Sequence, residues 1–225
     1  NTDYWGEGEE GPNPTTYQGS VTFSNFGDIV SFCQNFIAID GNLTIYDTSL
    51  THIDDLACLE AVRGDINISA NNRLKSLNMS GLMEIGGSTY VQNNSMLTSI
   101  ELDSIIYFND NFQVSSNESL ESISATSLLF VGFDFQTSGN LEISNNEALT
   151  SLELPSLVTV QDNVHLDRLG LSDFSGLSSL ETIGSDLEID WNESLTSLTG
   201  LEALDRIGGN ATLSDNPLLA NDDGL

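Results

Sequence analysis

The stretch Leu180-Glu-Thr-Ile-Gly-Ser-Asp-Leu-Glu-Ile-Asp-Trp-Asn-Glu-Ser-Leu195 decides the reading of the chain, because its spacing returns along most of the length. Its central phrase, Ser185 to Ile189, has counterparts at Gly41 to Ile45, Gly64 to Ile68, Gly87 to Val91, Asp110 to Val114, Gly139 to Ile143, Asp162 to Leu166 and Gly209 to Leu213. The last residues of these phrases lie 23, 23, 23, 29, 23, 23 and 24 positions apart, so one repeat carries a six-residue insertion near 129 to 140. A period held through eight copies is the mark of a solenoid, in which each coil buries its apolar residues against its neighbours.

Counted from the last residue of a phrase, apolar residues recur at offsets of about 6, 9, 11, 14, 17 and 21; after Ile143 these are Leu149, Leu152, Leu154, Leu157, Val160 and Val164. The pairs at 21 and 0, and at 9 and 11, alternate as in a short strand with one face inward. The spacing therefore predicts at least two parallel sheets, with the strands ending at Ile45, Ile68, Val91, Val114, Ile143, Leu166, Ile189 and Leu213 side by side in one of them. Asn71, Asn94, Asn117, Asn146, Asn192 and Asn216 recur at offset 3, where an inward amide can bond the backbone of its own and the adjacent coil. Their expected role is structural. Thr48 and Leu169 stand in their place in two coils, which are expected to turn differently there.

Chemistry has to be sought on the outward side of the same strands. Coils ~4.8 Å apart put Tyr90, Gln113, Glu142, His165 and Glu188 in one row, and Asp167 beside Asp190 in the next. These seven are the candidate binding residues, on a flat polar face that could hold a cation or a cationic partner; a solvated face with a favourable charge ladder is the plainer reading. No metal is expected, because the row offers one imidazole and too few converging oxygens. No cofactor is expected either. His52 and His165 lack a glycine-flanked nucleophile nearby, and no carboxylate pair is marked out, so the chain reads as non-enzymatic, with no catalytic residues.

Composition narrows the partners. Against 34 Asp and Glu stand 5 Lys and Arg, a formal net charge of −29, which makes nucleic acid and anionic lipid poor candidates as ligands. Leu, Ile, Val and Phe number 66 of 225, enough to build a core. No apolar run approaches the roughly 20 residues of a membrane-spanning helix, so direct membrane insertion is not expected. Residues 1–19, acidic with Gly and Pro, read as a linker, and 20–40 as an N-terminal cap with helical turns near Asp28 to Phe36. Cys33 lies in that cap and Cys58 in the first coil; a disulfide would staple one to the other, and two buried thiols are the alternative. Residues 41–225 are the solenoid, expected to be truncated partway through a coil, with further domains of a parent chain beyond.

The pattern L-x-x-I-G-x-x-L-x-I-x-x-N-x-x-L over Leu180 to Leu195 resembles the leucine-rich repeat and, more closely, the receptor L-domain group, with the resemblance running over residues 41–225. It implies an all-β solenoid, a right-handed coil of short parallel strands in about eight coils of about 23 residues, usually extracellular or on the cell surface and engaged in recognition or adhesion. The expected partner is thus a surface or matrix protein or glycan, met on the flat strand face. The other expectation is a structural spacer or appendage subunit with no ligand of its own. Within the insertion, Phe130, Phe133 and Phe135 form the densest aromatic stretch; Phe133 and Phe135 are expected to point inward, although exposed rings would suit a sugar or a protein hot spot. Seven sequons, at Asn42, Asn67, Asn78, Asn93, Asn117, Asn192 and Asn210, are open to glycosylation in a eukaryotic host.

Overall fold

In the computed structural model, which describes residues 15–133 and 138–219, the chain winds as an all-β parallel solenoid with three sheets along its sides. The first, here the ladder sheet, has nine strands beginning at Val21–Thr22 and Leu43–Tyr46 and ending at Ala211–Ser214. Its register moves one repeat per strand, pairing Ile45 with Ile68, Ile68 with Val91, Val91 with Val114, and so on to Ile189 with Leu213. The predicted strand ends therefore share one sheet. Leu43, Ile45, Ile66, Ile68, Phe112 and Val114 are buried in pairs, as alternation demands, each contributing about 1.5–3 kcal/mol of apolar burial. Among the described residues no strand pairs beyond Ala211–Ser214, and there Ala211 and Leu213 are exposed.

A second nine-stranded sheet, the flank sheet, runs from Thr16–Gln18 and Ala38–Asp40 to Arg206–Ile207. Most of its strands are only two residues long, such as Glu84–Ile85 and Tyr107–Phe108. That is too short for alternation to be visible in sequence, and the offset-17 residue is the sole inward one. The third sheet has four strands, Ser76–Asn78, Ser99–Glu101, Ser122–Ser124 and Ser151–Glu153. In the coils that carry Thr48 and Leu169, 3-10 turns at Asp54–Cys58 and Ser175–Leu177 take the corresponding place.

Eight of the nine ladder-sheet strands carry at or next to their end a residue in the left-handed region, from Asp47 (φ 50°) through Trp191 (φ 58°) to Asp215 (φ 56°), which swings the next side chain inward. In six of the eight that side chain is the recurrent asparagine, and in the other two it is Thr48 or Leu169. Fully buried Asn94 accepts from the Asn71 backbone N–H at 2.9 Å and donates through Nδ2 to the Ile68 carbonyl at 3.0 Å. Asn71, Asn117, Asn146, Asn192 and Asn216 donate likewise to the carbonyls of Ile45, Val91, Val114, Leu166 and Ile189. Leu169 cannot donate. Its strand instead extends to six residues, Val164–Leu169, and pairs Leu169 with Asn146 of Leu141–Asn146, so backbone pairing replaces the missing amide.

At the N-terminal end a helix, α1 (Phe26–Cys33), is capped by Asn25, whose Oδ1 accepts from the Asp28 N–H at 3.2 Å. Ile29 and Phe32 are buried on its inner face. Cys33 is disulfide-bonded to Cys58 in the first coil, with Cα atoms 5.7 Å apart. One boundary moves: Thr16–Gln18, inside the stretch read as linker by its composition, is a strand paired in register with Ala38–Asp40. Residues 1–14 lie outside the described residues.

The six inserted residues fall between Gly132 and Gly139. In the preceding coils these two positions are adjacent, as in Gly86 and Gly87, and a Cβ on Gly132 would lie 2.5 Å from the Cα of Gly139. Only glycine lets these two positions approach so tightly, with Gly132 at φ 82°. The coil itself continues undisturbed.

Candidate functional site

The ladder sheet sets the predicted row in register over adjacent strands, Tyr90 beside Gln113, Gln113 beside Glu142, Glu142 beside His165 and His165 beside Glu188. Tyr90, Gln113, Glu142 and His165 are half-buried by their neighbours, and Glu188 is exposed. Among the described residues, His165 makes no ion pair within 4.0 Å. The Glu142 carboxylate accepts from the Ser144 hydroxyl at 3.3 Å. This row is bound to little else, and its side chains face outward between two columns that have other duties.

One such column is Asn42, Asp65, Asn111, Asn140, Asn163 and Asp186, whose side-chain oxygens each accept the backbone N–H of the next coil at 2.6–3.1 Å. The column looks in sequence like free polar surface. It is a second, outer ladder, and its acceptors are spent on stacking. The other column contains Asp167 and Asp190, adjacent in register as expected. Asp167, however, is only 5% exposed, and its carboxylate is engaged by the Arg168 guanidinium at 2.6 Å. The expectation of an open Asp167 is thus corrected: the extended strand pairing at this level buries it, and a buried carboxylate needs its cation. Asp190 accepts from the Ser214 N–H at 3.0 Å and from its hydroxyl at 2.6 Å, so it too has a structural role.

Arg168 and Trp191 form a corner that pattern reading did not single out. Both occupy the recurrent left-handed position, at φ 50° and 58°, and the guanidinium carbon stands 5.6 Å from the indole centre. With Glu147 and Glu193 they line a shallow depression of about 300 Å³. A cation–π contact of this kind fixes the arginine that neutralises Asp167. The corner is accounted for by that task.

A different surface lies on the flank sheet. Phe133 points outward, 51% exposed, and stacks on Tyr107 with ring centroids 4.7 Å apart, while Phe130 is 5.9 Å away. The expected inward orientation of Phe133 is therefore corrected. The core beside it is already filled by Val131 and by the stacked rings of Phe108 and Phe112, 4.4 Å apart. Phe135 lies outside the described residues. Burial, and behind it the Glu84 carboxylate, pushes the Tyr107 phenol above its ordinary value. Met83 and Ile106, 51% and 47% exposed, continue the apolar surface along neighbouring coils. The sequence signal was available at offset 15, where four consecutive coils carry Met83, Ile106, Leu129 and Val158.

The sequons divide in the structure. Asn117 and Asn192 are buried in the inner ladder and present no amide to an enzyme in the folded chain. Among the described residues no group of three or more His, Cys, Asp or Glu is arranged to hold a metal ion, and no helix is long and apolar enough to cross a membrane. Comparison with protein-family models, with curated proteins and with solved structures finds no match to this chain.

Proposed function

We propose that the protein is a non-catalytic recognition or adhesion module of the cell exterior, engaging a glycan or a protein through the outward face of its ladder sheet. The observation that carries this reading is the row Tyr90, Gln113, Glu142, His165 and Glu188, in register across five strands and free of the backbone ladder that occupies the column on one side of it. A flat row of half-exposed amide, phenol, imidazole and carboxylate groups suits an extended hydroxyl-rich or cationic ligand, and its acidic half repels polyanions. The disulfide between Cys33 and Cys58 is compatible with an oxidising exterior. The repeat pattern's resemblance to receptor L-domains supports the same reading at the level of fold, where recognition lobes of this kind occur.

A rigid spacer without a ligand is the competing reading, favoured by the two side-chain ladders and the continuous core that stiffen the solenoid. Glycan and surface-protein arrays probed with wild type and with Glu142→Gln/Glu188→Gln separate the two. The recognition reading expects binding that falls at least about tenfold in the double variant, equivalent to about 1.4 kcal/mol, with the unfolding midpoint little changed. Absence of any binder, or a binder indifferent to the double variant, moves the assignment to the spacer.

A further inference from the structure

The flank sheet carries an apolar stripe that the proposed recognition face does not use. Met83, Ile106, Leu129 and Val158 occupy the same position in consecutive coils, with backbone hydrogen bonds from Leu129 to Ile106 at 2.7 Å and from Val158 to Leu129 at 3.0 Å. Tyr107, Phe130 and Phe133 widen it on one side. In a chain of net charge −29, a contiguous apolar surface, exposed at Met83, Ile106 and Phe133 and half-buried at Leu129 and Val158, marks a place of contact.

The ends of the stripe identify the contact. The column continues into Glu60 on one side, whose carbonyl accepts from Met83 N–H at 2.9 Å, and into Glu181 and Asp205 on the other, joined to Val158 and to each other by hydrogen bonds of 2.9 Å. Four apolar residues thus lie between carboxylates. A coil spacing of ~4.8 Å makes the apolar part about 14 Å long and the distance from Glu60 to Glu181 about 24 Å.

The chemistry then selects one occupant. Because the backbone groups of the stripe are used coil to coil, a partner cannot add as a strand, and contact has to be made between side chains. An α-helix brings its own backbone already satisfied, and about 16 residues of helix span 24 Å. A second copy of this chain would set its own glutamates near those of the first, in a molecule already strongly anionic. Aliphatic Met83, Ile106, Leu129 and Val158 offer a sugar no hydrogen bond. We propose that the stripe docks an amphipathic helix of a protein partner, apolar on one face over about three turns and carrying Lys or Arg at both ends to meet Glu60 and Glu181.

The test uses a fluorescein-labelled helical peptide with Leu at i, i+3, i+4 and i+7 and lysines at its two ends, titrated against the full chain in about 0.15 M NaCl and read by anisotropy. Two control peptides carry Glu at the ends, or Ser in place of Leu. Binding is expected for the Lys/Leu peptide and not for either control. Ile106→Asp/Phe133→Asp should weaken it at least about tenfold, although the variant adds two carboxylates and would strengthen any general attraction to a cation. Glu142→Gln/Glu188→Gln should leave it within about twofold, which separates this surface from the ladder-sheet face. Equal or tighter binding by the aspartate variant, or no binding of the Lys/Leu peptide to wild type, overturns the proposal. A wild-type dimer in sedimentation that Ile106→Asp dissociates would give the stripe to a second copy. Binding of neutral oligosaccharides lost on Phe133→Asp would give it to a glycan.

Discussion

Thr89 occupies an inward position of the ladder sheet, between Ile66 and Phe112, and its buried hydroxyl has no hydrogen-bond partner. A hydroxyl stripped of water and left unbonded costs free energy that an isosteric methyl does not. Thr89→Val is accordingly expected to stabilise the fold by about 1 kcal/mol, measured as a higher urea midpoint with an unchanged slope; a lower midpoint would mean that the hydroxyl is bonded. Asn94 is the opposite case, a buried amide with both ends used. Its role was legible because the asparagine recurs at one offset. The left-handed Arg168 and Trp191 were not legible as a pair, since nothing in the order of residues says that a guanidinium of one coil meets an indole of the next.

Among the elements, α1 is the least supported by stacking, because it covers the first coil from one side and is held by Ile29, Phe32 and the bond from Cys33 to Cys58. Closing a loop of 25 residues reduces the freedom of the unfolded chain, a restriction worth about 3.5 kcal/mol in the chain-entropy account. Cys33→Ala/Cys58→Ala should lose about that much stability, read from denaturant unfolding. Intact-mass measurement before and after reduction with alkylation checks the bond itself, and two thiols alkylated in the native protein would reverse the assignment. The cap was foreseeable from the apolar spacing of Ile29, Phe32 and Cys33. The strand Thr16–Gln18 was not, because the glycine and proline before it carry the composition of a linker up to its edge.

The molecule as a whole carries a net charge of −29, and among the described residues only Arg63 with Asp40 at 3.8 Å and Arg168 with Asp167 at 2.6 Å form ion pairs. Repulsion between the remaining carboxylates is greater in the compact coil than in the extended chain. Raising NaCl from about 0.01 M to about 0.15 M shortens the screening length from roughly 30 Å to roughly 8 Å, and should raise the thermal midpoint. An unchanged or lower midpoint would show that these charges are too far apart to oppose folding.

The solenoid, its period and the common sheet of the eight predicted strands were determined by the sequence alone, because in a repeat each side chain packs against the same position one coil away and the pattern need only be read along one dimension. Only the tertiary structure decided which polar columns remain free. Asn42, Asp65 and Asn140 read like Gln113 and Glu142, yet the former turn back to the backbone of the next coil and the latter do not. The same holds for the burial of particular side chains. Phe133 faces outward because the core at its level is full and Gly132 lies tight against Gly139, and Asp167 is enclosed because Leu169 in place of asparagine lengthens the strand pairing; both depend on what the neighbouring coils leave open.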